Sequence, residues 1–207
     1  TKSLTLWNLM GASAAQIGKL DEAVLAFQKV ALREPQNAQA PYNIGKALME
    51  QGKLEEATEA FKKATTLKPD YADAYNNMGV ALQQQGKLEK ATESFNKALS
   101  TKPDYVEAYN NAANTLKEQG KLEEAIKAYK KVLSLEPDYA EPHNNMGVAL
   151  QAQDKLEEAI EAYSIALSLK PDYAAAFNNL GKCLEGVIFI KPNKPLQKTI
   201  VSLVDKQ

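Results

Sequence analysis

Proline returns every 34 residues along this chain, at Pro35, Pro69, Pro103, Pro137 and Pro171, and the triplets Gly45-Lys46-Ala47, Gly79-Val80-Ala81 and Gly147-Val148-Ala149 keep the same step. A fixed period of this size marks one supersecondary unit copied and stacked, so the chain reads as an array rather than a globule around a single buried centre. Its 207 residues hold about six such units.

One unit shows how each copy folds. Ala74, Tyr75, Met78, Gly79 and Leu82 recur at three- and four-residue steps, which predicts a helix from about Ala72 to Gln85. Leu88, Ala91, Phe95, Ala98 and Leu99 predict a second, from about Leu88 to Thr101, with Gly86 supplying the left-handed residue between them. Pro103 cannot extend the second helix. Asp104 with Glu107, Asp70 with Asp73 and Asp138 with Glu141 have the spacing of capping boxes that open the next helix. Down the array a small-residue column reads Gly11, Gly45, Gly79, Ala113, Gly147, Gly181, and a ring column on the second helices reads Phe27, Phe61, Phe95, Tyr129, Tyr163. Small facing large predicts close helix contact within each unit, and each neighbour then covers the apolar stripe its predecessor exposes.

The spacing Trp7, Met10, Gly11, Gly18, Ala23, Phe27 and Pro35 resembles the tetratricopeptide repeat. The match spans five full repeats, residues 4–173, and the first helix of a sixth from Ala174 to Leu184. The resemblance implies an all-α fold: a right-handed superhelical solenoid of antiparallel helix pairs, its concave groove lined mainly by the first helices. It also implies a role in holding peptide segments of other proteins. The domain expectation is a solenoid over 1–185 followed by a capping or linker segment over 186–207.

Composition narrows the function. Lys plus Arg (25) nearly balances Asp plus Glu (26), so no global field gathers phosphate, and a nucleic-acid partner is not expected. No apolar run approaches the roughly 18 residues of a membrane span. The single cysteine, Cys183, fits a reducing, cytoplasmic setting. Catalytic chemistry is poorly supplied, so neither an enzyme, a cofactor nor a metal site is expected. His143 stands in the column of Trp7, Tyr75, Tyr109 and Phe177, where a flat ring packs between helices, and Cys183 reads as a small hydrophobe. Glu55, Glu56, Glu59, Glu123, Glu124, Glu157 and Glu158 open second helices, where they complement the helix dipole and are expected to pair with Lys63 or Lys127 four residues on.

One feature exceeds what folding requires. Asn43, Asn77, Asn111, Asn145 and Asn179 form a column, preceded by Asn76, Asn110, Asn144 and Asn178. Asn77 lies about 200° around the helix from Tyr75, away from the core stripe. On the inner face of a solenoid the second asparagines would form a ladder. A primary amide both donates and accepts, so it can grip the N–H and C=O of an extended peptide whatever its side chains. The arrangement resembles the asparagine ladder in the repeat domain of the O-linked N-acetylglucosamine transferases. The alternative is that the amides bond to neighbouring helices. Gln39, Asp73, Glu107 and Glu141, and one turn on Lys46, Val80, Asn114, Val148 and Lys182, vary beside the column and would tune side-chain preference, with Lys46 and Asn114 the polar contributors.

The C-terminal stretch breaks the period. Gly186 to Ile190 reads as either an extended piece or a continued helix, two prolines follow at Pro192 and Pro195, and Leu196, Ile200, Leu203 and Val204 make a short amphipathic stripe. That stripe is expected to cap the sixth unit, to link to a further domain, or to dock on another copy. The chain starts at Thr1 with no initiator methionine, which is what a piece of a longer protein would show. The leading expectation is a peptide-binding interaction module, with homo-oligomer assembly through the ends, or substrate recruitment for a larger transferase, as rivals.

Overall fold

The computed structural model describes residues 2–190, with side chains from 4 to 185. Among the described residues there are eleven α-helices and no strand. They are α1 (Lys2–Gln16), α2 (Leu20–Arg33), α3 (Gln39–Glu50), α4 (Leu54–Leu67), α5 (Ala72–Gln84), α6 (Leu88–Thr101), α7 (Val106–Glu118), α8 (Leu122–Leu135), α9 (Ala140–Ala152), α10 (Leu156–Leu169) and α11 (Ala174–Ile190). The chain divides into two compact units within α7, after Asn111. In the first unit each helix from α1 to α6 packs on the next. In the second, α8 packs on α9, α9 on α10, and α11 on both α10 and α9.

The helix limits follow the periodicity: α5 ends one residue before the expected Gln85, and α6 matches Leu88–Thr101. Gly18, Gly52, Gly86 and Gly120 turn the chain within repeats at φ from 73° to 75°, and in the fifth repeat Asp154 takes that place at φ 62°. Within a repeat the small-residue column meets the ring column. A Cβ added to Gly79 would lie 2.5 Å from the Phe95 ring, and one on Gly45 would lie 2.6 Å from Phe61. Gly147 is pressed in the same way by Tyr163 at 2.6 Å. These rings, with Ala57, Ala91, Ala125 and Ala159 one turn before them, have no exposed surface. They form the apolar seam whose burial drives each helix pair together.

The capping boxes expected at α5 and α9 are not formed. Tyr71 and Tyr139 occupy the N-cap positions of α5 and α9, and neither helix has a side-chain cap hydrogen bond. Asp70 sits one residue too early, because the turn closes through backbone bonds from Tyr71 N to Lys68 O and from Ala72 N to Asp70 O. The same Lys-Pro-Asp-Tyr turn stacks a lysine on its tyrosine, with Lys68 Nζ 4.9 Å from the Tyr71 ring centre and Lys102 Nζ 4.5 Å from that of Tyr105. Where the turn reads Gln36-Asn37 a side chain takes over, Asn37 Oδ1 accepting from the N–H groups of Gln39 and Ala40 at 3.0 and 3.3 Å. The expected pairing with Lys63 or Lys127 is also absent. Among the described residues the ion pairs are Lys19 with Glu22 and Lys53 with Asp21, both exposed.

α11 settles the ambiguity after Leu184, since the helix continues unbroken to Ile190. The stripe Leu196, Ile200, Leu203 and Val204 lies outside the described residues.

Candidate functional site

The asparagine columns lie on the first helices, and the two asparagines of a pair part ways. Asn76, Asn110 and Asn144 are only 0%, 6% and 4% exposed. The reading of these three as peptide-contacting residues is therefore corrected: one residue earlier on a helix is a 100° turn, enough to carry the amide from the open face into the inter-helix seam. Asn178, in the same column, is exposed. The second asparagines, Asn43, Asn77, Asn111, Asn145 and Asn179, are all half-exposed.

In the first unit the buried and half-exposed amides form a relay across first helices. Asn76 Nδ2 donates to Glu107 Oε1 at 3.0 Å, and Asn111 Nδ2 donates back to Asn76 Oδ1 at 3.0 Å. Asn77 Nδ2 donates to the Tyr42 hydroxyl at 3.1 Å, and Tyr42 stands in the column that later reads Asn76. Gln39 Nε2 donates to Asn43 Oδ1 at 2.9 Å and accepts the Tyr71 hydroxyl at 2.8 Å. The second unit repeats the theme. Asn179 Nδ2 donates to Asn144 Oδ1 at 3.0 Å, and Asn145 Nδ2 donates to Asn114 Oδ1 at 3.2 Å. Asn114 also accepts the hydroxyl of Tyr129. Asn77, Asn111, Asn145 and Asn179 are thus each tied to a neighbouring helix through one N–H, as the alternative reading anticipated, while Asn43 accepts from Gln39 within its own helix. An amide has two N–H groups and two lone pairs, so Asn77 and Asn179 keep capacity for a further bond in each direction.

Sequence reasoning missed the tyrosines. Tyr42 and Tyr71 stack with ring centres 4.9 Å apart, tilted by 33°, beside the exposed carboxylates Asp73 and Glu107. Burial, then the neighbouring Tyr42 and Asp73, pushes the Tyr71 hydroxyl up to about 12. Burial raises Tyr105 as well, followed by Glu107 and Asp73. These phenols stay protonated at neutral pH and act as hydrogen-bond donors among carboxylates. The available signal was the 34-residue recurrence of Tyr71, Tyr105, Tyr139 and Tyr173. Lys46 is exposed, its ammonium 6.0 Å from the Tyr42 ring centre.

His143 is buried, with Nε2 3.3 Å from the carbonyl oxygen of Pro137, in keeping with a packing role. Cys183 is 1% exposed within the apolar cluster of Ile160 and Tyr163, and burial raises its thiol above the ordinary value, which disfavours the reactive thiolate. Among the described residues no cluster of three or more His, Cys, Asp or Glu has metal-binding geometry, and no helix is long and apolar enough to cross a membrane.

Three descriptions of one repeat match the chain. The model described as TPR repeat covers residues 45–86, 113–154 and 152–186, together more than half of the chain, and models described as tetratricopeptide repeat cover 72–105 and 94–127. No curated protein matches the sequence significantly. Among solved structures, a MamA protein is 25% identical with a TM-score of 0.76, covering 84% of this chain and 94% of its own. MamA from Desulfovibrio magneticus RS-1 is 21% identical with a TM-score of 0.77, over 84% and 98%. YrrB, described as a TPR protein with an unusual peptide-binding site, is 22% identical with a TM-score of 0.73, over 83% and 89%. With its repeats matched in sequence and its fold matched in space, the chain belongs to the tetratricopeptide repeat family.

Proposed function

We propose that the first-helix face holds an extended segment of another protein. The half-exposed amides Asn43, Asn77, Asn111, Asn145 and Asn179 bond its backbone, with Asp73 and Glu107 favouring basic side chains. The observation that carries this reading is the orientation of the ladder: Asn77, Asn111, Asn145 and Asn179 are each fixed by a donated bond at 3.0 to 3.2 Å yet remain half-exposed. A side chain already held in place loses less entropy on binding, so part of the cost of association is met by the fold. In this reading Asn76, Asn110 and Asn144 are supports, Asn114 positions Asn145, and Lys46 edges the site. Tyr42, Tyr71 and Tyr105 add flat donors beside the carboxylates, a setting suited to a guanidinium or ammonium group. YrrB shows that the fold can carry a peptide-binding site in another protein.

The test is affinity for peptides selected from a random extended library by the parent chain, compared with the double variant Asn77→Ala, Asn111→Ala. Two backbone bonds of about 0.5 to 1.5 kcal/mol each predict a loss of roughly 5-fold to 150-fold. Equal affinity removes the ladder from the function.

A further inference from the structure

The large apolar side chains left open to solvent are not spread evenly. Among the described residues eight are exposed, and six of them, Leu6, Leu9, Met10, Ile17, Leu25 and Leu32, belong to the first repeat. On α1, Leu6, Met10, Ser13 and Ile17 recur at steps of four, three and four, the spacing that draws one straight seam along a helix. In later first helices this face is buried: the Leu6 column reads Ala40, Ala74, Ala108 and Ala176, none more than 1% exposed. It looks onto the second helix of the repeat before. Gln51 and Gln85, in the Ile17 column, reach that helix, Gln51 Nε2 donating to Asp21 Oδ1 at 3.1 Å and Gln85 Nε2 to the carbonyl oxygen of Leu54 at 2.9 Å.

The first helix departs from that pattern at the positions a contact between repeats uses. Leucine stands where alanine lets the preceding second helix come close, and isoleucine stands where glutamine bonds to it. Leu6, Met10 and Ile17 are 55%, 47% and 67% exposed. From Leu4 to Gly18 no residue is charged, whereas each later first helix carries at least one charge. A bulky, uncharged face of this kind suits a cover other than the second helix of a repeat.

We propose that α1 pairs with α1 of a second copy, antiparallel about a two-fold axis. In that orientation the seam is its own complement. Positions 6 and 17, like 10 and 13, lie at equal distances from its centre, so Leu6 of one copy meets Ile17 of the other and Met10 meets Ser13, long against short. Antiparallel helices set opposite dipole ends together, and an uncharged seam opposes no like charges. The exposed parts of Leu6, Leu9, Met10, Ile17 and, on the adjoining α2, Leu25 amount to roughly 500 Å² in each copy, so a pair buries about 1,000 Å², the least that a specific interface needs. Association is therefore weak, in the micromolar range or above, and an isologous contact stops at two copies. The ladder column holds Leu9 on α1 and no amide, so this contact stands or falls independently of the peptide-holding face.

Sedimentation velocity of the intact chain from about 1 to about 200 µM tests it. The expected result is a sedimentation coefficient that rises from the monomer value towards that of a dimer for the parent and stays at the monomer value for Met10→Lys and for Ser13→Glu. Both positions are exposed in the single copy, so circular dichroism of the two variants should show intact folds. The decisive arm mixes them: the new positive charge at position 10 of one copy then faces the new negative charge at position 13 of the other, and dimers should return. A parent that stays monomeric throughout, as it would if the seam takes a helix of another protein or a segment of a longer chain, overturns the proposal. So does a parent that grows beyond two copies, a single variant that associates like the parent, or a mixture that stays monomeric.

Discussion

The seam between the two helices of a repeat and the amide row on the first helices are copied at the same 34-residue step, yet they are held differently. In the seam a glycine meets a ring at nearly the same spacing in repeat after repeat, from 2.5 to 2.7 Å for Gly11, Gly45, Gly79 and Gly147. In the amide row the donors recur and the acceptors change: the Tyr42 hydroxyl for Asn77, the Asn76 carbonyl for Asn111, and the Asn114 carbonyl for Asn145. Close packing tolerates few solutions, so the seam is repeated almost unchanged. A half-exposed amide can exchange one partner for another or for water at little cost, so that row is free to vary.

The largest expected effect comes from breaking the seam where it is tightest. Gly79→Val drives two methyl groups into a ring already at contact and should cost about 3 kcal/mol, read as a fall in the thermal midpoint. Gly79→Ala should cost far less, because the fourth repeat already places Ala113 in this column with Tyr129 buried opposite. Gly181→Ala, in the same column with nothing within 4 Å, should stabilise by about 0.5 to 1 kcal/mol through helix propensity alone. If all three variants shift the midpoint alike, the column is set by backbone conformation and not by ring contact.

The contrast also explains what could be read from the chain alone. The seam was legible because sterics write it in residue size: glycine or alanine against Phe or Tyr, in register with the turn glycines. The starts of α5 and α9 were misread because Asp70 and Asp138 look like caps, while Tyr71 and Tyr139 hold the N-cap positions and the turn before α5 is closed by backbone bonds and by Lys68 stacked on Tyr71. The amide column was visible as a pattern, but its division into buried supports and half-exposed rungs was not. A single 100° step decides it, and both residues are asparagine. The tyrosine cluster escaped notice because Tyr42 belongs to the column of Asn76, and only coordinates show that it takes over the carbonyl's role as acceptor.

Loss of a buried amide comes next in size. Asn76 has no exposed surface, donates to Glu107 and accepts from Asn111, so Asn76→Ala removes two bonds inside the fold and should cost about 2 kcal/mol. Asn77→Ala removes one bond to a half-exposed phenol that can turn to water, and should cost less than about 1 kcal/mol. Urea midpoints at unchanged slope compare the two. Equal costs would mean that burial does not separate the members of a pair, and the distinction between support and rung would fail.

The effect that is smallest at neutral pH is the most specific, because it titrates the seam and touches the amide row at one residue. Tyr129 and Tyr163 have no exposed surface, and burial raises both hydroxyls above the ordinary phenol value near 10, with Glu141 and Glu118 adding to the shift at Tyr129 and Cys183 at Tyr163. The native chain therefore keeps these protons while the unfolded chain releases them. Their contribution is complete below about pH 10 and declines above it by about 1.4 kcal/mol per pH unit for each phenol, since the folded state then binds more protons than the unfolded. Tyr163→Phe should remove one share of that decline and little else, its hydroxyl donating to Gln151 at 2.8 Å. Tyr129→Phe should remove the same share and also release Asn114, which accepts from both Tyr129 and Asn145. If urea midpoints of the parent stay level from about pH 9 to about pH 11, the seam phenols ionise in place and the seam is open to water. If instead both variants flatten the decline equally but only Tyr129→Phe weakens peptide binding, Asn114 is the point at which packing in the seam sets the orientation of a ladder amide.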